Sequence, residues 1–264
     1  MRYKSSIMVD TVSDVNEVLE WAKKQSYKIN NMHTSTGNHL MYEGYEDSFD
    51  YQNVLSYFKE HGFTVEIKGR SIVHSNEELE KAEILLLVVN AEIHLVQSLP
   101  LPVCSKCGMF IIPQDFNLIG QKIPKKDLVR LVGPDRIIVS DKIKKVLEES
   151  SFRGFSFELI EDVKGYYLLN VFGQIGEPTE KTPIKNQRNC STCYRRVVSF
   201  SLDSASLDIH NVHFNRSAYD GSDFALPSTI FTGCPYFIVI SNRVYQLLKK
   251  EKATGFYVIP AYLD

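Results

Sequence analysis

The sequence predicts a mixed α+β protein in two parts: an acidic α+β region over residues 1–99, then an α/β region over 100–264 built from duplicated strand-helix-strand units. Three observations lead to this reading. Apolar residues recur at helical spacing in the first region, a segment of the second matches itself at an offset of 101, and a Cys-x-x-Cys pair precedes each copy.

In chain order, Ser13 can cap a helix whose apolar positions Val15, Val18, Leu19 and Ala22 follow i, i+3, i+4, i+7. Tyr51, Val54, Leu55 and Phe58 repeat that spacing, and Gly62 stands where a helix ends. Phe63 to Ile67 alternates like a strand, with a turn expected at Gly69-Arg70. Ser75-Asn76-Glu77-Glu78 has capping-box spacing, and the helix it opens is expected to run into the apolar stretch Leu85–Val89. Leu99-Pro100-Leu101-Pro102 interrupts regular structure, which places the domain boundary near residue 100.

In the second region, Ile137–Phe155 lies over Ile238–Phe256 with five identities and six conservative pairs in 19 positions. Each copy reads as a short apolar strand, a Ser N-cap, a helix of about three turns, a Gly after its end and a second strand. The repeat cores span 137–158 and 238–259. Ser140 and Ser241 are therefore read as helix caps rather than nucleophiles.

Composition limits the function classes. A chain of 264 residues that is 44% apolar, 23% charged and 11% aromatic is not a disordered one. No stretch approaches the ~18 apolar residues of a membrane span, and Met1–Ser6 lacks the apolar core of a secretory signal. A soluble, cytoplasmic protein is expected. The net charge of −2 argues against general nucleic-acid binding. The charge is uneven, however: residues 1–100 hold 9 Lys+Arg against 15 Asp+Glu, and the remainder 21 against 17.

Cys104-Ser105-Lys106-Cys107 and Cys190-Ser191-Thr192-Cys193 have the spacing of two zinc knuckles. The reading is one structural Zn²⁺ held by Cys104, Cys107, Cys190 and Cys193, tying the two copies together. Gly108 suits the first turn, whereas Tyr194 stands at the matching place in the second. Cys234 is read as a buried apolar residue.

For recognition, the segment Tyr42–Tyr51 interleaves aromatic rings with carboxylates. Tyr42, Glu43, Tyr45, Glu46, Asp47 and Asp50 suit a surface whose rings anchor in pockets while its charges steer toward a basic partner. The competing reading is a solvated acidic loop with its aromatics in the core. Lys125-Lys126 and Arg195-Arg196 are basic doublets near the cysteines and could meet phosphate. His210 and His213 lack the Glu of an HExxH helix, His33 and His39 fall in a polar loop, and no glycine-rich phosphate cradle occurs. No catalytic residue can be assembled from these pieces.

The paired CxxC turns, Leu202–Leu207, Ser222-Asp223-Phe224 and the ending Ile240-Ser241-Asn242-Arg243 … Thr254-Gly255-Phe256 resemble the double-CxxCG family of bacterial proteins. Members lie beside polymorphic toxins and are considered immunity proteins. A related cysteine-free immunity family ends in a similar "ISxR…LL…TGF" segment, and Glu80-Lys81-Ala82-Glu83 looks like that group too. The resemblance covers about residues 75–264 and departs at Tyr194, where the family has Gly. It implies a non-enzymatic protein that neutralises a cognate toxin by direct binding. The alternative is a zinc-ribbon nucleic-acid-binding or regulatory protein using Lys125, Lys126, Arg195 and Arg196.

Overall fold

A computed structural model describes residues 2–10, 15–34, 37–94, 104–105, 118, 121–132, 136–161, 163–192, 196–200, 211–232 and 237–264. The fold is mixed α+β, as expected. Met1–Ser75 belongs to one compact unit, and Asn76–Ser201 with His210–Asp264 to another.

In the first unit the order is β1 (Arg2–Asp10), α1 (Val15–Lys24), β2 (Ile29–Thr34), β3 (Gly37–Tyr45), α2 (Phe49–Glu60) and β4 (Val65–Val73). The antiparallel sheet runs β2-β3-β1-β4. Ile7, Val9, Leu40 and Tyr42 from its strands close on Val18 of α1 and on Tyr51, Val54 and Phe58 of α2, the helical positions expected from spacing. Ser48 caps α2: its Oγ accepts from Tyr51 N at 3.2 Å. Gly62 leaves the helix at φ +74°. Ser13, the expected cap of α1, lies outside the described residues.

Two local expectations change. Gly69-Arg70 is not a turn but an extra residue inside β4, where pairing with β1 slips between Lys4 and Ser6 and Gly69 takes φ +59°. A positive-φ glycine in a bulge reads in sequence like a turn, yet the strand continues through it. The polar stretch holding His33 and His39 is the β2–β3 hairpin, with Met32 opposite His39 and His33 opposite Asn38.

The second unit continues with α3 (Asn76–Lys81), β5 (Ile84–Val89), β6 (Glu92–His94), β7 (Leu128–Val132), β8 (Arg136–Ser140), α4 (Asp141–Glu148), β9 (Phe155–Leu159), β10 (Tyr166–Val171) and β11 (Gly173–Gly176). Then come β12 (Ile184–Asn189), β13 (Arg196–Phe200), β14 (Val212–Phe214), β15 (Phe224–Pro227), β16 (Thr229–Thr232), β17 (Ile238–Ser241), α5 (Asn242–Lys250) and β18 (Phe256–Leu263). They form sheets β6-β7-β8-β10-β9, β11-β15-β17-β5-β18-β14 and β12-β13-β16.

The helix expected to run on into Leu85–Val89 stops at Lys81, and the apolar run is strand β5, paired on both sides with β17 and β18. Its even and odd side chains are both buried, so a strand in the sheet interior loses the alternation that marks an exposed one. That interior position also moves the division between units to Ser75/Asn76, upstream of residue 100.

The segments flanking α4 and α5 fold as their patterns indicate. Ser140 Oγ and Ser241 Oγ accept from Ile143 N and Val244 N, each at 3.4 Å. Ile143 and Leu147 of α4 share one core with Val244, Tyr245 and Leu248 of α5, and Leu85, Leu87 and Val89 of β5 join them. Burial of each such aliphatic side chain stabilises by about 1.5–3 kcal/mol. Gly154 and Gly255 both take φ +94°, and a Cβ would lie 2.2 Å from Phe224 O or Leu128 O. No side chain fits at either place.

Candidate functional site

The segment singled out for recognition spans the end of β3, a tight turn and the first residues of α2. Tyr42 points into the first unit's core against Tyr27 and Tyr51, and burial, with Asp50 nearby, pushes its phenol up. Tyr45 carries the Arg2 guanidinium 4.1 Å from its ring centre. Arg2 also meets Asp47 in a two-pronged bond of 3.0 and 2.8 Å, which holds the Asp47 carboxyl below its usual range. Lys4 Nζ donates to Glu43 at 2.6 Å. Buried Ser5 donates to the Glu46 carboxylate, while Gln52 Nε2 donates to the Glu46 backbone oxygen at 2.6 Å.

The structure therefore divides the six predicted residues. Tyr42 is core, Tyr45 lies under the Arg2 guanidinium, Glu43 and Asp47 are held by bases of β1, and Glu46 ties the turn to Ser5. Asp50 is exposed on α2. Beside it stands Phe49, 78% exposed. A Phe at the first position of a helix, between a capping Ser and an Asp, is the large apolar side chain of this segment that faces water.

The zinc expectation is corrected. Among the described residues, no group of three or more Cys, His, Asp or Glu stands together as a metal site would require. Cys104 and Cys190, one from each pair, do meet with sulfurs 3.5 Å apart, and both are buried. Two sulfurs are half the ligand set of a closed tetrahedral site. They are also too far apart for the ~2.05 Å bond of a disulfide. Cys107, Cys193 and Cys234 lie outside the described residues. CxxC spacing reports only that two sulfurs can share a turn, so it cannot supply the missing half.

Of the basic doublets, Lys125 and Lys126 are exposed, Arg196 begins β13 and Arg195 lies outside the described residues. His213, on β14, shares its Nδ1 with the Asp264 carboxylate at 3.1 Å; Lys181 and Thr179 donate to the same carboxylate. Those bonds, Lys181 first, pull the Asp264 carboxyl down to about 2. His210 lies outside the described residues.

Part of the acidic surplus before residue 100 is met within the second unit. Glu77 pairs with Lys81, Glu80 with Lys249, Glu83 with Arg216 through two 2.8 Å bonds, and Glu92 with Arg130. The uneven charge along the chain is thus in part the two sides of ion pairs, and only in part a field for a partner.

One cluster escaped sequence reasoning. Asp223, 1% exposed, accepts from Arg243 at 2.9 Å through both oxygens, from Ser241 Oγ at 2.6 Å and from Arg153 N at 3.0 Å. Tyr219 donates to Ser222 O beside it, and burial together with Asp223 and Asp220 pushes the Tyr219 phenol up to about 12. The carboxylate is saturated with donors, which suits holding backbone rather than chemistry. The available signal was Ser222-Asp223-Phe224, a buried-looking Asp before an apolar strand. Asp127, in an equivalent setting before β7, accepts from Ser140 Oγ, Thr254 N and Thr254 Oγ1, each at 2.9 Å.

No protein-family model matches the chain, and no curated protein matches it. Among the described residues, no helix is long and apolar enough to cross a membrane.

Proposed function

We propose that this protein is a cytoplasmic bacterial immunity protein that neutralises a cognate toxin by binding and occluding it, with the Tyr45–Asp50 turn as part of the contact surface. The observation that supports this reading best is Phe49, 78% exposed on a turn whose backbone is already pinned. Arg2–Asp47, Ser5–Glu46, Gln52–Glu46 and the Ser48 cap fix its shape before any partner arrives. Preorganisation of this kind reduces the ordering cost of association. An exposed ring beside the exposed carboxylate of Asp50 is the pattern of an anchor with a charged rim, suited to a basic partner. The resemblance of residues 75–264 to the double-CxxCG immunity proteins points the same way. The duplication of cores 137–158 and 238–259 belongs to this reading as the rigid scaffold, supported by matching caps and matching glycines. The role assigned is binding, with no catalytic residue.

The test is capture of partners by the tagged wild-type chain and by Phe49→Ala from lysate of the source bacterium. A toxin-domain protein held by wild type, with Phe49→Ala losing about 2 kcal/mol, roughly 30-fold in affinity, supports the proposal. Recovery of nucleic acid with steep salt dependence would favour the reading through Lys125 and Lys126 instead. A toxin retained equally by both variants would remove the Tyr45–Asp50 turn from the surface.

A further inference from the structure

We infer that the second unit consists of two copies of one five-strand unit, 84–159 and 166–263, that have exchanged their first strands within a single chain. This is a larger repeat than the sequence match reveals, and it does not depend on the toxin-binding proposal.

The strand orders carry the inference. One sheet runs β6-β7-β8-β10-β9 and the other β11-β15-β17-β5-β18, with β14 added at its edge. Matching α4 to α5 matches β8 to β17 and β9 to β18, the copies already seen in sequence. The fourth place in each sheet is then held by a strand of the other copy: β10, the first strand of the second copy, lies between β8 and β9, and β5, the first strand of the first copy, lies between β17 and β18.

Register makes the correspondence residue by residue. Ser140 faces Tyr166 and Ser241 faces Ile84, so Ile84 corresponds to Tyr166, an offset of 82. The same offset follows independently from the other side of each strand, where Phe155 faces Val171 and Phe256 faces Val89. It holds again in the next strands: Glu92 faces Arg130 and Gln174 faces Leu226, both in parallel pairs. The third strands agree as well, since Leu128 faces Val139 and Phe224 faces Ile240. Leu86, Leu87, Val89 and Ile93 recur as Leu168, Leu169, Val171 and Ile175 at this offset, but the helices match at 101, which is why the 101-residue match alone marked only the helix and its flanks.

Two carboxylates latch the crossing, and they do so reciprocally. Asp127 of the first copy accepts from Ser140 Oγ, the cap of its own copy's helix, and from Thr254 N of the second copy. Asp223 of the second copy accepts from Ser241 Oγ, the cap of its own copy's helix, and from Arg153 N of the first. The backbone repeats the pattern: Leu128 N donates to Thr254 O at 3.0 Å and Phe224 N to Arg153 O at 3.1 Å. Gly255 O then accepts from Asn90 N and Ala91 N, as Gly154 O accepts from Phe172 N and Gly173 N. The consequence is a conformational device: neither copy can complete its sheet or seat its latch without the other, so the two open together.

The test uses the whole chain with a site-specific protease sequence inserted between Lys164 and Gly165, both exposed and lying between the copies. After cutting, the pieces are run on size exclusion in native buffer, with isotope-labelled C-terminal piece added to follow replacement. The expected result is co-elution, with replacement only at denaturant concentrations that unfold the uncut protein. Separation, or rapid replacement in native buffer, would overturn strand exchange. Hydrogen exchange of the uninserted chain provides a second measurement should the insertion disturb folding. Asp223→Asn is expected to speed exchange at least tenfold in both β8–β10 and β17–β18. Acceleration confined to 210–264 would overturn the inference.

Discussion

Replacing Asp223 with Ala removes a carboxylate that is almost wholly buried, and the loss can be worked out from its partners. Ser241 Oγ and Arg153 N are neutral donors at 2.6 and 3.0 Å, and a bond from each to a charged group contributes about 1.5 kcal/mol at the low end. The Arg243 arm is weaker than its geometry suggests, because that side chain is 62% exposed and solvent screens it; about 0.5–1 kcal/mol is appropriate. The sum is a loss of about 3.5–4 kcal/mol. Urea unfolding followed by circular dichroism, with the second unit's transition fitted at an unchanged slope, reads this directly. A loss below about 1 kcal/mol would show that the donors find water or other partners, and the view of Asp223 as the latch of α5 and Gly154 would be refuted.

Asp127→Ala should cost less, about 2 kcal/mol in the same assay, because its surroundings are only half-buried and it lacks an arginine partner. Gly154→Ala and Gly255→Ala should each destabilise by 3 kcal/mol or more (~3), since the new Cβ meets backbone oxygen at 2.2 Å, whereas Gly165→Ala, with nothing within 4 Å, should show only the ~1 kcal/mol of its positive φ. The Asp264 carboxyl is depressed to about 2 from 3.8, so its contribution is complete above pH 4 and disappears as pH falls through 2. The melting-temperature gap between wild type and Asp264→Asn should therefore close between pH 4 and pH 2, and a constant gap would argue against the Lys181–Asp264–His213 link. Tyr219 is raised to about 12, so stability it supports should be intact below pH 10 and fall between pH 10 and 12; Tyr219→Phe should flatten that fall in alkaline melts.

Much of the second unit was legible because its local signals agree with its packing. Ser140 and Ser241 are caps, Gly154 and Gly255 end the helices, and the apolar faces of α4 and α5 meet one core. Ile84–Val89 misled because a strand buried on both faces carries no period-two pattern to separate it from helix. The larger repeat was hidden because the spacing changes along it: β5 and β10 match at an offset of 82, with Leu86, Leu87 and Val89 recurring as Leu168, Leu169 and Val171, whereas the helices match at 101. Charge was harder still. Glu80 and Lys249 are 169 residues apart, and only folding reveals that they pair within one unit. In the recognition segment, Tyr42 and Asp47 looked alike in pattern, yet one fills the core and the other grips Arg2. The cysteine spacing pointed to four ligands, whereas the described residues bring together two.

The most direct measurement is growth of bacteria expressing the captured toxin together with this protein, wild type or Phe49→Ala and Asp50→Lys. Wild type is expected to restore growth, and both variants, folded to the same melting temperature, to restore it only at much higher expression. Growth that wild type fails to restore would contradict toxin neutralisation, and equal rescue by the variants would contradict the role of the Tyr45–Asp50 turn.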